Sequence, residues 1–399
     1  MLSKVAREKG IKIMGTGDAT HPDYLDLLEE ELEPVEGGLY AAKSDPEYTR
    51  FILSAEVSNI FTQGGKGRRI HTLMLFPCLE VAREVSDRLA SVGNVKSDGR
   101  PIFGFPVKQL VKLVLEVSEE CLIIPAHIWT PWFSLFGSRS GFDSVEECFE
   151  EESGHIFALE TGLSSDPQMN WRLSALDKYT LVSNSDAHSP AKIGRELNVF
   201  SCGITYDNIV GAIKEPARGF EGTIEFFPEE GKYHLDGHRA CGVRLAPKET
   251  IALDGLCPVC SRPLTVGVLH RVEELADRPE GFVPESAKPC VHLVPLLEIL
   301  GQVFEVKSIT SKVKKEYSRL VSEAGSELDL LLWLSEKEIS SFAPPRVVEA
   351  IIKAREGRIE LSPGYDGEYG RVIIDFDTET RSQSFRQEDS CYRQPDLFD

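Results

Sequence analysis

Asp18, Glu56, His71 and His127, with the close pair Asp186 and His188, are the residues of this chain that could do chemistry together. Each stands at or just after a short apolar run. Ile11-Lys12-Ile13-Met14 leads through Gly15-Thr16-Gly17 to Asp18. Phe51-Ile52-Leu53 leads to Glu56, and His71 opens Thr72-Leu73-Met74-Leu75-Phe76. Leu122-Ile123-Ile124-Pro125-Ala126 delivers His127, and Tyr179-Thr180-Leu181-Val182-Ser183 leads to Asp186 and His188. One strand-end histidine is usually a hydrogen-bonded structural residue. Carboxylates and imidazoles at several strand ends, far apart in sequence, make the ligand set of a multi-metal hydrolytic site. Divalent ions held there (Mg2+, Mn2+ or Zn2+) generate hydroxide and stabilise charge developing on a phosphate. Asp186 and Glu56 are the expected catalytic residues, Asp18 belongs to the first or second shell, and Glu160, at another strand end, is expected to orient a ligand or touch substrate.

The elements that must position these residues are strand-like runs alternating with helix-like segments, among them Val81-Ala82-Arg83-Glu84-Val85 and the stretch from Val107 to Val117. That alternation predicts a parallel, barrel-like α/β unit over residues 1–225, with function at the C-terminal strand ends. The order breaks near Phe226-Phe227-Pro228-Glu229-Glu230-Gly231. Residues 226–288 read as a small metal-binding module, 289–376 as a helical domain, and 377–399 as a polar tail. A formal charge of -20 excludes a globally basic nucleic-acid coat but not a nuclease with a local basic track. No apolar run is long enough to span a membrane, and Met1-Leu2-Ser3-Lys4 lacks a signal-peptide pattern, so a cytoplasmic protein is expected.

Cys257-Pro258-Val259-Cys260 has zinc-knuckle spacing, and His238-Arg239-Ala240-Cys241 is a second pair of the same spacing upstream. Together they supply the four ligands of a tetrahedral structural Zn2+. His234 and His270 compete with His238 for the fourth place. Cys78, Cys121, Cys148 and Cys202 read as buried apolar packing.

Nucleic acid has three candidate contacts. Gln63-Gly64-Gly65-Lys66-Gly67-Arg68-Arg69 reads as a flexible basic loop beside His71, where Lys66, Arg68 and Arg69 could hold phosphates; the rival is a solvated hairpin. Trp129 and Trp132 lie in an aromatic loop after His127 that could stack on bases or pack beneath the site. Lys307, Lys312, Lys314, Lys315 and Arg319 form a basic helical stretch, either a phosphate-facing surface or a solvated face.

Six segments carry a resemblance. They are Gly15-Thr16-Gly17-Asp18-Ala19-Thr20-His21-Pro22, Pro125-Ala126-His127-Ile128-Trp129-Thr130-Pro131-Trp132, and Glu160-Thr161-Gly162-Leu163-Ser164-Ser165-Asp166-Pro167. The others are Ser183-Asn184-Ser185-Asp186-Ala187-His188, Cys257-Pro258-Val259-Cys260 and Pro363-Gly364-Tyr365-Asp366-Gly367. Over residues 1–375 the chain resembles the endonuclease Q family of DNA-repair nucleases, built on a PHP (polymerase and histidinol phosphatase) metal domain. The resemblance implies a distorted (β/α)7 barrel and hydrolysis of DNA 5′ to a deaminated base (uracil, hypoxanthine, xanthine) or an abasic site. A PHP domain opens with His-x-His on its first strand. None stands before His21, and Met1 to Ala6 reads as the middle of the first helix. The first strand and two metal ligands are therefore expected to be missing, through a start codon placed too late or a genuine truncation. Two other readings share these residues: a PHP phosphoesterase acting on a small phosphate, and a catalytically impaired DNA-binding protein. At the end of the chain, Gln394-Pro395-Asp396-Leu397-Phe398 resembles the bacterial sliding-clamp-binding pentapeptide, with Gln394, Leu397 and Phe398 as its anchors.

Overall fold

The computed structural model describes residues 1–97 and 99–376; Gln394, Leu397 and Phe398 lie outside the described residues. Seven strands form one mixed sheet: β1 (Ile13–Gly15), β2 (Leu32–Val35), β3 (Leu39–Ala42), β4 (Asp45–Gln63), β5 (Lys66–Phe76), β6 (Ile102–Phe103) and β7 (Leu122–Pro125). The order β2-β3-β4-β5-β7 is antiparallel throughout, while β1 and β6 run parallel to β4. The expected parallel barrel is thus corrected to a sheet whose spine is the β4–β5 hairpin. Phe51-Ile52-Leu53 and Thr72-Leu73-Met74-Leu75-Phe76 are its two arms. They cannot be parallel, because only Gly64 and Gly65 separate β4 from β5, and a parallel crossover needs about a dozen residues or more. Both glycines have positive φ (60° and 74°), as a two-residue hairpin turn requires. The stretch from Gln63 to Arg69 is accordingly a hairpin tip and not a flexible loop.

β8 (Ala158–Glu160) and β9 (Thr180–Val182) form a parallel pair. β10 (Leu197–Phe200) and β11 (Phe220–Glu225) pair antiparallel, β12 (Asp236–His238) and β13 (Val243–Leu245) form the hairpin of the cysteine-bearing module, and β14 (Cys290–His292) returns parallel to β11. The sheet β10-β11-β14 therefore crosses the expected boundary at residue 225.

Two large cores result. In the first, the helix Val107–Val117 buries Val107, Leu110, Val111 and Val114, and the helix Leu79–Ala90 buries Ala82, Val85 and Leu89. These i, i+3, i+4, i+7 stripes pack with Val57, Phe61, Ile70 and Met74 of the hairpin. Val268 and Val272, from the helix Val268–Leu275, join this core. In the second core the helices Leu296–Val303, Ser311–Ala324 and Pro345–Arg355 pack on Ile224 and Phe227. Pro345 sits in the first turn of its helix, where its missing N–H has no helical partner to lose. The apolar run from Leu328 to Leu334 is a single π-helical turn, Asp329–Trp333, and residues 360–373 add the hairpin β15 (Glu360–Ser362) and β16 (Arg371–Ile373). The C-terminal region is therefore not purely helical.

Two buried ion pairs join the halves. Lys9 Nζ meets Glu327 Oε2 at 2.5 Å, while Glu327 also accepts from Tyr317 Oη and from the Leu296 N–H. Asp166 Oδ2 lies 3.1 Å from His292 Nε2. Cys121 and Cys148 are buried thiols; Cys78 and Cys202 are only half-buried, so apolar packing accounts for the first two alone. No helix among the described residues is long and apolar enough to cross a membrane.

Candidate metal centre

The hairpin places the first two ligands. Glu56 pairs with Leu73 and Ser58 with His71, so the strand period of two puts Glu56 and His71 on one face as diagonal neighbours. β7 brings the third: Ala126 N–H donates to the His71 carbonyl, and His127 follows with φ of 32°. Glu160 holds that turn by accepting the His127 N–H at 2.7 Å, and its other oxygen accepts from Asn184 Nδ2 at 2.8 Å. Glycine is required at residue 162. Its φ is 62°, and a Cβ there would stand 2.5 Å from His127 Cβ.

The result is a tight trio. Glu56 Oε1 is 3.1 Å from His71 Nδ1 and 3.3 Å from His127 Nε2, and the two nitrogens are 3.0 Å apart. Glu56 Oε1 is buried and has no hydrogen bond of good geometry. Three lone-pair donors facing one another cannot be satisfied by one proton; a divalent cation satisfies all three. Electrostatics is divided: it favours the ligating forms of Glu56 and His71 but the charged form of His127. Burial opposes the charge on Glu56, yet His127, His71 and Arg100 outweigh it and hold the carboxyl well below its ordinary range. Burial lowers the His71 pKa and so favours its neutral, ligating form. Burial also opposes charge on His127, but Glu56 reverses the balance and raises it. Burial pushes Glu160 up to about 7.

The remaining expected ligands do not join the trio. Asp186 Oδ1 is held at 2.6 Å by Arg100 Nη2, and Arg100 Nε lies 2.7 Å from Glu56 Oε1, so the guanidinium stands between the two carboxylates. Asp186 has φ of 41°, and its carbonyl accepts from Arg195 Nη2. His188 is exposed, and its Nδ1 lies 3.0 Å from the Asp186 carbonyl oxygen. Asp18 lines a separate cavity of about 330 Å³ with Thr20, His21, Tyr24 and Pro101. Sequence reasoning missed Arg100, Gly162 and Arg195. Arg100 sits in an irregular stretch whose composition reads only as a turn. Gly162 stood in a segment used for resemblance, where a φ above zero leaves no spacing pattern.

A second set is complete. His238, Cys241, Cys257 and Cys260 bring their ligand atoms within 4.8 Å of one another, as do Glu56, His71 and His127. His270 is not part of it, because its Nδ1 bonds Asp236 at 2.6 Å, and His234 is buried elsewhere.

The nucleic-acid candidates divide. Arg68 is buried, donates to the Gly141 carbonyl and lies over the Phe142 ring, so it cannot reach a phosphate. Trp129 is 1% exposed and donates to Asn170 Oδ1; it packs the loop rather than offering a stacking face. Lys66, Arg69, Trp132, Lys314 and Lys315 are exposed. Arg319, by contrast, is engaged by Glu316 and the Phe342 carbonyl.

The chain is similar to proteins of known sequence and structure. A family model of the MJ0043 C-terminal domain matches residues 295–358. An uncharacterised Bacillus subtilis protein, YqxK, is 31% identical over 381 residues, which cover 93% of this chain and 91% of that protein. The uncharacterised MJ0043 of Methanocaldococcus jannaschii is 32% identical over 61% of this chain but only 31% of its own length. A crystal structure of a lesion-specific endonuclease from Pyrococcus furiosus superposes with a TM-score of 0.82, at 29% identity over 94% of this chain and 90% of that one. A second structure, endonuclease Q with a 27-mer duplex carrying an abasic lesion at the active site, gives 0.81 at 30% identity over 94% and 91%.

Proposed function

The chain belongs to the endonuclease Q family, and from that premise we propose that it is a metal-dependent DNA-repair endonuclease. It hydrolyses the phosphodiester 5′ to a deaminated base (uracil, hypoxanthine or xanthine) or an abasic site, in the cytoplasm, on a PHP-type catalytic unit. The observation that carries this reading is the convergence of Glu56, His71 and His127 at one face of the β4–β5 hairpin. A divalent ion (Mg2+, Mn2+ or Zn2+) held there supplies Lewis-acid stabilisation of the phosphate and activation of water. The chain's own groups do the rest. Glu160 fixes the turn that aims His127, Gly162 lets that turn approach closely, and Asp186 adds a carboxylate across Arg100. Trp132, Arg69, Lys66, Lys314 and Lys315 are exposed cations and rings suited to phosphates and bases. A damaged base must leave the stack to be read, at a cost of about a few kcal/mol. His238, Cys241, Cys257 and Cys260 hold a structural Zn2+, which supplies folding energy to a module of short strands.

The test is cleavage of duplexes carrying an abasic site or a uracil, against an undamaged duplex and a phosphate monoester, with and without chelator. Lesion-dependent nicking that chelation abolishes is expected. Equal turnover of the monoester supports a small-phosphate phosphoesterase instead, and lesion binding without cleavage an inactive DNA-binding protein. The C-terminal peptide 386–399 is further proposed to bind a sliding clamp through Gln394, Leu397 and Phe398. Titration of that peptide against a bacterial clamp should show binding that Leu397→Ala with Phe398→Ala removes; unchanged binding refutes the motif.

A further inference from the structure

Arg100 is a cation set directly against the trio, between Glu56 and Asp186. Its Nε stands 2.7 Å from Glu56 Oε1 and its Nη2 2.6 Å from Asp186 Oδ1. The Nε contact is close but not aligned as a hydrogen bond, and both atoms lack any other aligned partner. The same carboxylate oxygen faces two imidazole nitrogens. The guanidinium therefore neutralises Glu56, where a metal would take it, together with the neighbouring Asp186. The Arg100 backbone is anchored through the residues that follow it. Pro101 carbonyl accepts the Ser58 N–H at 2.8 Å, and residues 102–103 pair with β4. On the other side Gly99 has φ of 76° and open space around it. A cavity of about 330 Å³ lined by Ser97, Gly99, Pro101, Asp18 and Thr20 adjoins this stretch.

Resting on the metal-centre reading above, we propose that Arg100 is an internal counter-ion latch. It holds Glu56 and Asp186 in the absence of metal, is displaced from Glu56 when a divalent ion binds, and then offers its fork to the phosphodiester. A planar fork is suited to both duties, because carboxylate and phosphate present the same spacing of acceptor oxygens. The latch also keeps two facing carboxylates from repelling one another before the metal arrives. Its removal should tighten metal binding, since the metal no longer has a cation to displace. An arginine that merely supported its neighbours would have the opposite effect.

The experiment is a titration of the whole protein with Mn2+ alone, comparing wild type, Arg100→Gln and Arg100→Lys. Retention of the knuckle's bound metal serves as the check on folding. Arg100→Gln should bind Mn2+ about tenfold more tightly than wild type, and Arg100→Lys, which keeps the charge, should stay close to wild type. On an abasic-site duplex at saturating Mn2+, Arg100→Gln should raise KM about tenfold with a smaller change in kcat. Unchanged or weaker Mn2+ binding by Arg100→Gln overturns the latch, and an unchanged KM overturns the phosphate contact. Absence of Mn2+ binding at Glu56, His71 and His127 in wild type instead sinks the metal centre itself.

Discussion

The two ligand clusters of this protein are built on opposite plans. His238, Cys241, Cys257 and Cys260 come from one module, from two short pairs joined by the β12–β13 hairpin and its connection. The set has four members. Glu56, His71 and His127 come from two arms of a long hairpin and from the strand beside it, and Arg100 reaches in from a separate turn. A structural site can close locally because it only has to bind. A reactive site must stay open, so its ligands stand on rigid strands and its supporting groups come from wherever the fold can bring them. Non-glycine residues with positive φ stand beside both clusters, Asp254 (53°) and Ser261 (57°) flanking the knuckle. His127, Phe133 and Asp186, at or near the trio, have φ of 32°, 62° and 41°. Such backbone costs about 1–3 kcal/mol per residue and persists where the surroundings dictate it.

The comparison breaks first, and hardest, at the trio. Glu56→Gln or His71→Ala should reduce lesion cleavage about a thousandfold or more, with a cooperative melt retained. Single-turnover rates on the abasic duplex, read beside a thermal melt, decide it; a loss below tenfold removes these residues from the centre. At the knuckle the expected signs reverse. Cys257→Ser with Cys260→Ser should lose one bound metal and several kcal/mol of stability while leaving the catalytic metal count unchanged. Metal analysis and a denaturant melt read this, and an unaltered metal content refutes it.

Gly162→Ala sharpens the contrast. The new Cβ would have to displace His127, so cleavage should fall about 10–100-fold, the range for a group that orients a metal ligand. The knuckle's metal should stay. A wild-type rate would show that the approach of residue 162 to His127 is slack.

The smallest effect concerns the tie between Asp166 and His292, which lies outside both clusters. Burial opposes charge on both, but their mutual bond prevails, lowering Asp166 and raising His292. The lowered acid contributes stability above its ordinary 3.8, lost as pH falls through its folded value. The raised histidine contributes below its ordinary 6.5, lost as pH rises through its folded value. The pair is therefore worth most between about pH 4 and 6.5. His292→Ala should cost about 3 kcal/mol in that window and less above it. Melts across pH check this, and a pH-independent difference refutes the linkage.

Much of this was legible in the sequence because it is local. The helix Val107–Val117 follows from its apolar stripe, and the knuckle from two pairs of identical spacing. Glu56, His71 and His127 were legible as candidate ligands, but only His127 follows a strand end; Glu56 and His71 stand inside β4 and β5. Their union was expected, but not its route, since an apolar run in a hairpin reads like one in a βαβ unit until the two-glycine turn is counted. Arg100 was hidden for a different reason: it approaches through an irregular stretch, where no periodicity points a side chain. Trp129 and Trp132 are three residues apart in one aromatic loop, yet one is buried and the other 41% exposed, a distinction that only packing makes.

One feature of the interior has a calorimetric signature. Glu225 is fully buried and Glu196 is 2% exposed, and neither oxygen of Glu196 has a hydrogen bond of good geometry. Burial, with Thr223, Ser183 and His292 pulling the other way, leaves Glu225 at about 7, and burial beside Glu225 and Glu160 raises Glu196 well above its usual range. Near pH 6 the folded chain thus carries protons that the unfolded chain sheds. Unfolding is then an acid-releasing reaction, and its measured heat includes the heat of the buffer that takes up those protons. Melts at one pH in buffers of small and large ionisation enthalpy should differ by the net proton exchange, to which these acids and the shifted histidines both contribute.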